Sequence, residues 1–372
     1  MELQTRLVFI DTSAYEKKRF QFGLFVLGRL EKLVNEEKIH LLITDVVQSE
    51  IEAHLKKFAE EAVTELKKFQ KNASFLHVAE QATGGGLFIE VSAEAVLGEA
   101  NAKFRALMDN GLTEHISIET VNSKQIFEAY FSGVPPFHRA AKKSEFPDAF
   151  TLAAVDALAR ERMSKIYIVS HDTDMKAVAE SNDHFIHLEG VDELVDLVNR
   201  NDEELRELSV FADKAFERVK ERVMNLAKGK LEDAEYIPDS SGDVDPELND
   251  LAITDVVITQ MQLIDVSIDG ALYDVTFGVT LEASYDFADY SCAHWDREDR
   301  QYYGVKESSE NYIHREQYGA TLEIGFATGL IANAEVIDLA FDNKIFDLDM
   351  DNAQHLNDPI GTDDHAEWPD PL

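Results

Sequence analysis

Five acidic residues stand at points in the sequence where a chain is able to gather them. Asp11, Glu50, Asp148, Asp172 and Asp174 each fall at the end of a predicted strand or in the opening turn of a predicted helix. Leu7-Val8-Phe9-Ile10 is an unbroken apolar run that passes straight into Asp11-Thr12-Ser13. A continuous run, rather than an alternating one, marks a strand covered on both faces, as in a parallel sheet. The ligand crevice of an open parallel sheet lies beyond the carboxyl ends of its strands, which would put Asp11 on its rim. Lys165-Ile166-Tyr167-Ile168-Val169 repeats the pattern and delivers Ser170-His171-Asp172-Thr173-Asp174. Carboxylates crowded together repel, so a fold tolerates them when a divalent cation offsets the cost. Oxygen-only ligation selects Mg2+ or Mn2+. One or two such ions activate water and stabilise the leaving oxygen of a phosphodiester, which is the chemistry of a hydrolytic nuclease. The plainer role open to each acid is that of a helix cap or turn former.

The elements needed to hold these acids can be read in order. Gln21 to Glu37 carries Phe22, Phe25, Val26, Leu30, Leu33 and Val34 at helical spacing, after a short linker from Asp11. Ile39-His40-Leu41-Leu42-Ile43 reads as a second buried strand, with Thr44 or Asp45 able to cap the next helix. That helix is predicted from Val46 to Phe69, with Glu50 in its first turn and a solvated face holding Lys56, Lys57, Lys67, Lys68 and Lys71. Helices follow near 93–109 and 123–131, and Pro135-Pro136 breaks the chain. Pro147 suits a first helical position, so Asp148 falls beside exposed amides at the start of a buried helix ending near Met163. A helix over 175–180, a strand over 184–188 and a helix over 191–199 complete an alternating α/β unit.

Beyond residue 200 the pattern changes. An amphipathic helix over 202–231 leads to a stretch rich in Asp, Ser, Gly and Pro, and then to segments alternating with period two. Val256–Ile268, Ala271–Ala283, Tyr312–Ala327 and Leu330–Leu339 read as antiparallel strands, with turns at Asp269-Gly270 and Thr328-Gly329. The predicted organisation is therefore an α/β domain over 1–200, a connecting helix over 201–235 and a linker over 236–250. An acidic antiparallel β domain over 251–348 and an acidic tail over 349–372, predicted to be disordered, complete it. His294-Trp295-Asp296 with Tyr302-Tyr303 suggests a loop with exposed aromatics.

Composition narrows the class. The 372 residues are 45% hydrophobic and 29% charged, as in a globular protein. The single Cys292 excludes an internal disulfide framework and a cysteine-based zinc site. Met1-Glu2-Leu3-Gln4 lacks a signal-peptide pattern and there is no long apolar run, so the expectation is a cytoplasmic protein without membrane association. Residues 201–372 hold 12 Lys+Arg against 40 Asp+Glu, which is most of the net charge of −37. That half repels phosphate, which argues against a non-specific DNA binder but not against an enzyme whose own cations attract the substrate.

The ordered set of Leu7-Val8-Phe9-Ile10-Asp11-Thr12-Ser13, Glu50, Phe146-Pro147-Asp148-Ala149 and Val169-Ser170-His171-Asp172-Thr173-Asp174-Met175 resembles the four acidic motifs of PIN-domain nucleases. The resemblance covers about residues 1–200. It implies a parallel sheet flanked by helices and Mg2+- or Mn2+-dependent cleavage of single-stranded or structured RNA, less often of DNA, with single-stranded DNA as the other candidate substrate. Carried across, Asp11, Glu50, Asp148 and Asp172 match the catalytic, ion-holding quartet, with Asp174 or Glu145 as an additional or substitute ligand. Ser13 and Ser170 match hydroxyls that orient the acids. Arg139, Lys142 and Lys143 precede the third motif, where they could meet the phosphate backbone. The β domain matches nothing in the resemblance; its acidity would suit a homo-oligomer contact, a regulatory protein partner or a gate over the catalytic edge.

Three rival readings share part of this pattern. An Asp-nucleophile phosphatase of the haloacid dehalogenase class needs a second Asp two residues after the first, and position 13 is Ser. A catalytically silent PIN-like scaffold acting through its acidic β domain has no need of four mutually repelling acids. A toxin-like or defence nuclease shares the chemistry and differs only in biology.

Overall fold

The computed structural model describes residues 2–79, 88–137, 145–203, 205–239, 246–289, 294–296, 301–303, 306–326 and 331–356. The chain divides into two compact units, Met1–Asn201 and Asp202–Leu372.

The first unit is built on five parallel strands: β1 (Leu7–Ile10), β2 (His40–Thr44), β3 (Thr113–Ile116), β4 (Ile166–Val169) and β5 (Phe185–Leu188). Their order in the sheet is β3-β2-β1-β4-β5. From β1 the chain steps outward to one side through β2 and β3, then returns to fill the other side with β4 and β5. The β1–β4 junction is therefore the topological switch point, where a crevice opens at the carboxyl ends of the strands. Val8, Phe9 and Ile10 and all four residues of β4 are buried, as their continuous apolar runs require. Each such fully buried large side chain contributes about 1.5–3 kcal/mol relative to exposure.

Helices α1 (Thr12–Lys17), α2 (Phe25–Asn35), α3 (Asp45–Asn72), α4 (Ala93–Met108), α5 (Ser123–Ser132), α6 (Phe146–Arg162), α7 (Thr173–Glu180) and α8 (Val191–Asn201) surround the sheet. Thr44 caps α3 by accepting from the Val47 amide at 3.3 Å, so of Thr44 and Asp45 it is the threonine that closes the helix start. Pro147 lies at the first positions of α6, as its fixed φ favours.

Two features of this unit differ from expectation. The linker after Asp11 is the short helix α1, because the Asp11 carboxylate accepts from the Ser13 amide and so caps a turn that propensity alone does not mark. Strand β3 was not anticipated: Thr-Glu-His-Ile is short, polar and half-exposed, which is the character of an edge strand.

In the second unit, helix α9 (Arg206–Glu232) lies on one face of an antiparallel sheet ordered β12-β11-β8-β7. The strands are β7 (Glu247–Val266), β8 (Gly270–Asp289), β11 (Lys306–Gly325) and β12 (Glu335–Phe341). Ala212, Ala215, Phe216, Val219, Val223, Ala227 and Leu231 of α9 pack with Tyr273, Val275, Phe277, Val279 and Leu281 of β8 and with Ala320 and Leu322 of β11. A short pair, β9 (His294–Asp296) with β10 (Gln301–Tyr303), is antiparallel.

Three expectations for this unit are corrected. The segment 236–250, read as a linker, contributes β6 (Glu235–Asp239), which pairs in parallel with β13 (Ile345–Asp349), and its end belongs to β7. The tail from 349 is ordered as far as its described part reaches: β14 (Gln354–His355) adds to β11 beside Tyr312, and the Leu356 amide donates to the Asn311 carbonyl at 2.8 Å. Residues 357–372 lie outside the described residues. His294–Asp296 and Gln301–Tyr303, read as parts of a loop, pair instead as the β9–β10 ladder. The Asp269-Gly270 turn joins β7 to β8 as its sequence requires, whereas Thr328-Gly329 lies outside the described residues. Among the described residues no helix is long and apolar enough to cross a membrane.

Candidate active site

Asp11 follows the last residue of β1, and its amide donates to the Val169 carbonyl of β4 at 2.9 Å, extending the β1–β4 ladder by one rung. Its carboxylate is buried at the switch point and is gripped from both strands. Oδ2 accepts from the Ser13 amide at 3.2 Å, from the Ser13 hydroxyl at 2.5 Å and from the Ser170 hydroxyl at 3.0 Å. Each hydroxyl has one proton to give, and both are given to Asp11. The two hydroxyl oxygens in turn accept backbone amides, Ser13 from His171 at 3.2 Å and Ser170 from Asp172 at 3.0 Å. Burial raises the Asp11 carboxyl above its ordinary value, and these hydrogen bonds to the ionised form work against that rise.

Glu50 reaches the same edge from α3. Thr12, the first residue of α1, donates its hydroxyl to Glu50 Oε2 at 2.7 Å, so the residue after Asp11 positions the second acid. Asp172 caps α7, with Oδ1 accepting from the Asp174 amide at 2.6 Å and the Met175 amide at 3.0 Å. Asp148 lies in the first turn of α6, whose register against α3 is fixed by the buried contact of the Thr44 and Thr151 hydroxyls at 3.2 Å. Burial and then the charges of Asp11, Glu50, Glu145 and Asp172 push the Asp148 carboxyl up to about 8. Those five carboxylates therefore share one electrostatic neighbourhood.

The other predicted residues are placed as follows. Glu145 immediately precedes α6, in helical backbone conformation. Asp174 is buried in the first turn of α7. Arg139, Lys142 and Lys143 lie outside the described residues. The lysines of α3 are exposed, and Lys57 and Lys68 pair with Glu61 and Glu65 of the same helix, as a solvated face does.

Sequence reasoning missed the roles of Thr12 and Thr151 and, beyond its cap, the contact of Thr44 with Thr151. Thr12 had a signal, a hydroxyl directly after the strand-end acid; Thr44 and Thr151 meet only because α3 and α6 dock. It also missed Tyr15, fully buried, whose hydroxyl is pushed up by burial and by the nearby Asp11 charge.

The donor set fits a small, hard divalent cation. It consists of oxygen ligands alone, and the hydrogen bonds just described fall on a single oxygen in each of Asp11, Glu50 and Asp172. As placed, no group of three or more His, Cys, Asp or Glu among the described residues is close enough together to hold an ion.

Residues 8–175 match the family model described as PIN domain. No curated protein and no solved structure matches the chain.

Proposed function

We propose that the N-terminal unit, whose residues 8–175 match the family model described as PIN domain, is a metal-dependent endonuclease that hydrolyses phosphodiester bonds, with RNA as its main substrate. The observation that carries this reading is the grip on Asp11 by Ser13 and Ser170 at the β1–β4 switch point, with Glu50, Asp148 and Asp172 on the same edge. A scaffold that only binds other proteins gains nothing from burying one carboxylate and crowding a second among four like charges.

In this reading Asp11, Glu50, Asp148 and Asp172 hold one or two Mg2+ or Mn2+ ions, with Asp174 or Glu145 as a further ligand. When bound, the ions supply an activated water and a counter-charge for the leaving oxygen. The protein's part is positional. Ser13 and Ser170 fix Asp11 in rotamer, Thr12 holds Glu50, and the α7 cap fixes Asp172. The first turn of α6 places Asp148 at the helix start, whose dipole favours the anionic substrate. The acidic second unit would act as an oligomer contact or as the surface for a regulatory partner.

The test is incubation of the purified chain with total RNA and with single-stranded DNA, in manganese, magnesium or EDTA, beside Asp11→Asn. Metal-dependent cutting that disappears in the variant is the expected result. Equal cutting by a folded Asp11→Asn protein would overturn the assignment of the site. No cutting together with no manganese binding by calorimetry would leave the silent scaffold as the reading.

A further inference from the structure

Helix α1 and the turn after it meet α3 at three points, each four residues on from the last. Thr12, Glu16 and Phe20 stand on one side, and Glu50, His54 and Phe58 on the other. The Thr12 hydroxyl donates to Glu50 Oε2 at 2.7 Å. Glu16 Oε1 lies 3.8 Å from His54 Nδ1. The Phe20 ring stacks on the His54 imidazole at a centroid distance of 5.6 Å and meets the tilted Phe58 ring at the same distance. Four-residue steps keep Glu50, His54 and Phe58 on one stripe of α3, beside the buried stripe that begins at Val47. Phe20 lies beyond the end of α1, and Arg19 and Phe20 take φ of 52° and 50°. A bulky side chain rarely adopts that left-handed conformation, which persists where the packing around it over-determines it. Phe20 is buried, and its ring is 6.3 Å from that of Phe22, which packs on Phe104 of α4 at 5.1 Å.

We propose that Glu16, Phe20, His54 and Phe58 are positioning residues for Glu50, forming with Thr12 a ladder that sets the distance between α3 and the Asp11 end of β1. The proposal rests on the metal-dependent nuclease reading above and adds to it the residues that place one of its ligands. Asp11 caps α1, so the ladder is rooted at the acid that Ser13 and Ser170 hold. Among the described residues the hydrogen bond to the Glu50 carboxylate comes from Thr12. One hydrogen bond fixes a distance only where its donor is itself held, and Thr12 opens a helix of six residues. The two further rungs supply that hold. The Glu16–His54 rung is part-exposed and screened by solvent, so it contributes direction more than energy. The Phe20 rung is apolar and buried, and it carries the packing. Each of the four side chains acts on Glu50 through the spacing of α1 and α3, and a ligand moved off its place holds an ion less well.

The experiment measures the manganese affinity of the full chain by calorimetry, beside its Tm in EDTA. Thr12→Val, which removes the hydroxyl from Glu50, is expected to weaken manganese binding about tenfold, and Phe20→Ala, His54→Ala and Phe58→Ala about threefold to tenfold. Phe58→Tyr keeps a ring and His54→Gln keeps an N–H donor, and both should bind as wild type. In the Thr12→Val background His54→Ala and Phe58→Ala should cost little more, because the hydroxyl they position is gone. Val63→Ala, on the buried face of α3 beyond the ladder, should lower the Tm and leave the affinity unchanged. His54 and Phe58 are part-exposed, so their variants keep the test open where Phe20→Ala fails to fold. Folded ladder variants with wild-type affinity would overturn the ladder and leave the nuclease reading standing on a wild type that binds manganese. Affinity losses that follow the Tm, Val63→Ala included, or that simply add to the loss from Thr12→Val, would overturn it as well. A wild type that neither binds manganese nor cuts RNA removes both the ladder and the reading beneath it.

Discussion

The Ser170 hydroxyl at the end of β4 donates to the buried Asp11 carboxylate at the end of β1 at 3.0 Å, across the point where the chain switches direction in the sheet. The same oxygen accepts the Asp172 amide at 3.0 Å. One side chain thus links two strand ends and the start of α7, and with them two of the four acids.

Ser170→Ala removes a donor to a buried carboxylate and an acceptor for a backbone amide at a position with no solvent exposure. The expected cost is about 1–3 kcal/mol, a drop in Tm of several degrees for a domain of this size. Cleavage in manganese is expected to fall more than the Tm shift explains, because Asp11 loses its orientation. Thermal melts and single-turnover rates on one RNA check this; unchanged rates in the alanine variant would remove Ser170 from the site.

Thr44 closes the start of α3 and touches Thr151 of α6, so it sets the distance between the elements that carry Glu50 and Asp148. Thr44→Ala is expected to cost about 1–2 kcal/mol, the usual range for a lost cap. Thr44→Ser keeps the hydroxyl and is expected to stay within about 1 kcal/mol of wild type in denaturant titrations. Equal losses for both variants would mean that the methyl group matters and the cap does not.

How far the sequence foretells this site depends on whether the cause is local. Strands β1 and β4 announce themselves because burial on both faces leaves only apolar residues, and the acids that follow them stand out by contrast. Edge strand β3 meets no such demand, and Thr-Glu-His-Ile could be many things. The link from Thr12 to Glu50 is invisible in sequence because it exists only once α1 docks on α3. In the second unit, β7 shifts register between Leu248 and Asp250, Ile253 and Asp255, Ile258 and Gln260, and Leu263 and Asp265. Each bulge moves the following residues to the opposite face, so the alternation that reveals a strand is reset and the first half of β7 is hidden. The β6–β13 pair joins distant segments of the unit, and no local pattern encodes that partnership.

Gly270 opens β8 opposite Gly325, and a Cβ built on it would lie 2.7 Å from the Ile324 carbonyl oxygen. Backbone at that distance has no rotamer to yield. Gly270→Ala is therefore expected to destabilise the second unit by about 1–3 kcal/mol, the range for overpacking. Gly229, in α9, has open space around its Cβ position, and Gly229→Ala is expected to be neutral to stabilising by up to about 1 kcal/mol. Urea midpoints for the two variants should shift in opposite directions or, for Gly229→Ala, not fall at all.

The carboxylate cluster carries a pH signature. Asp148 holds its proton up to about pH 8 in the folded chain, whereas an unfolded aspartate loses it near 3.9. Between those values the folded state binds the extra proton, so stability is full below about pH 4 and is lost as pH rises towards 8. This is opposite to the behaviour of a salt-bridged aspartate. Part of the carboxyl is reached by solvent, so the expected loss is discounted to the order of 1–2 kcal/mol. Asp148→Asn cannot ionise and is expected to flatten the slope over that window and to raise the Tm of the metal-free protein near pH 8. Manganese should restore the wild type at pH 8 in proportion to its concentration, by mass action on the folded state alone, and should do much less for Asp148→Asn. Thermal melts at pH 5 and pH 8, in EDTA and in manganese, measure all four quantities. A wild type no less stable than Asp148→Asn at pH 8 in EDTA would mean that the five carboxylates do not crowd one another, and the cluster would lose its claim to need a cation.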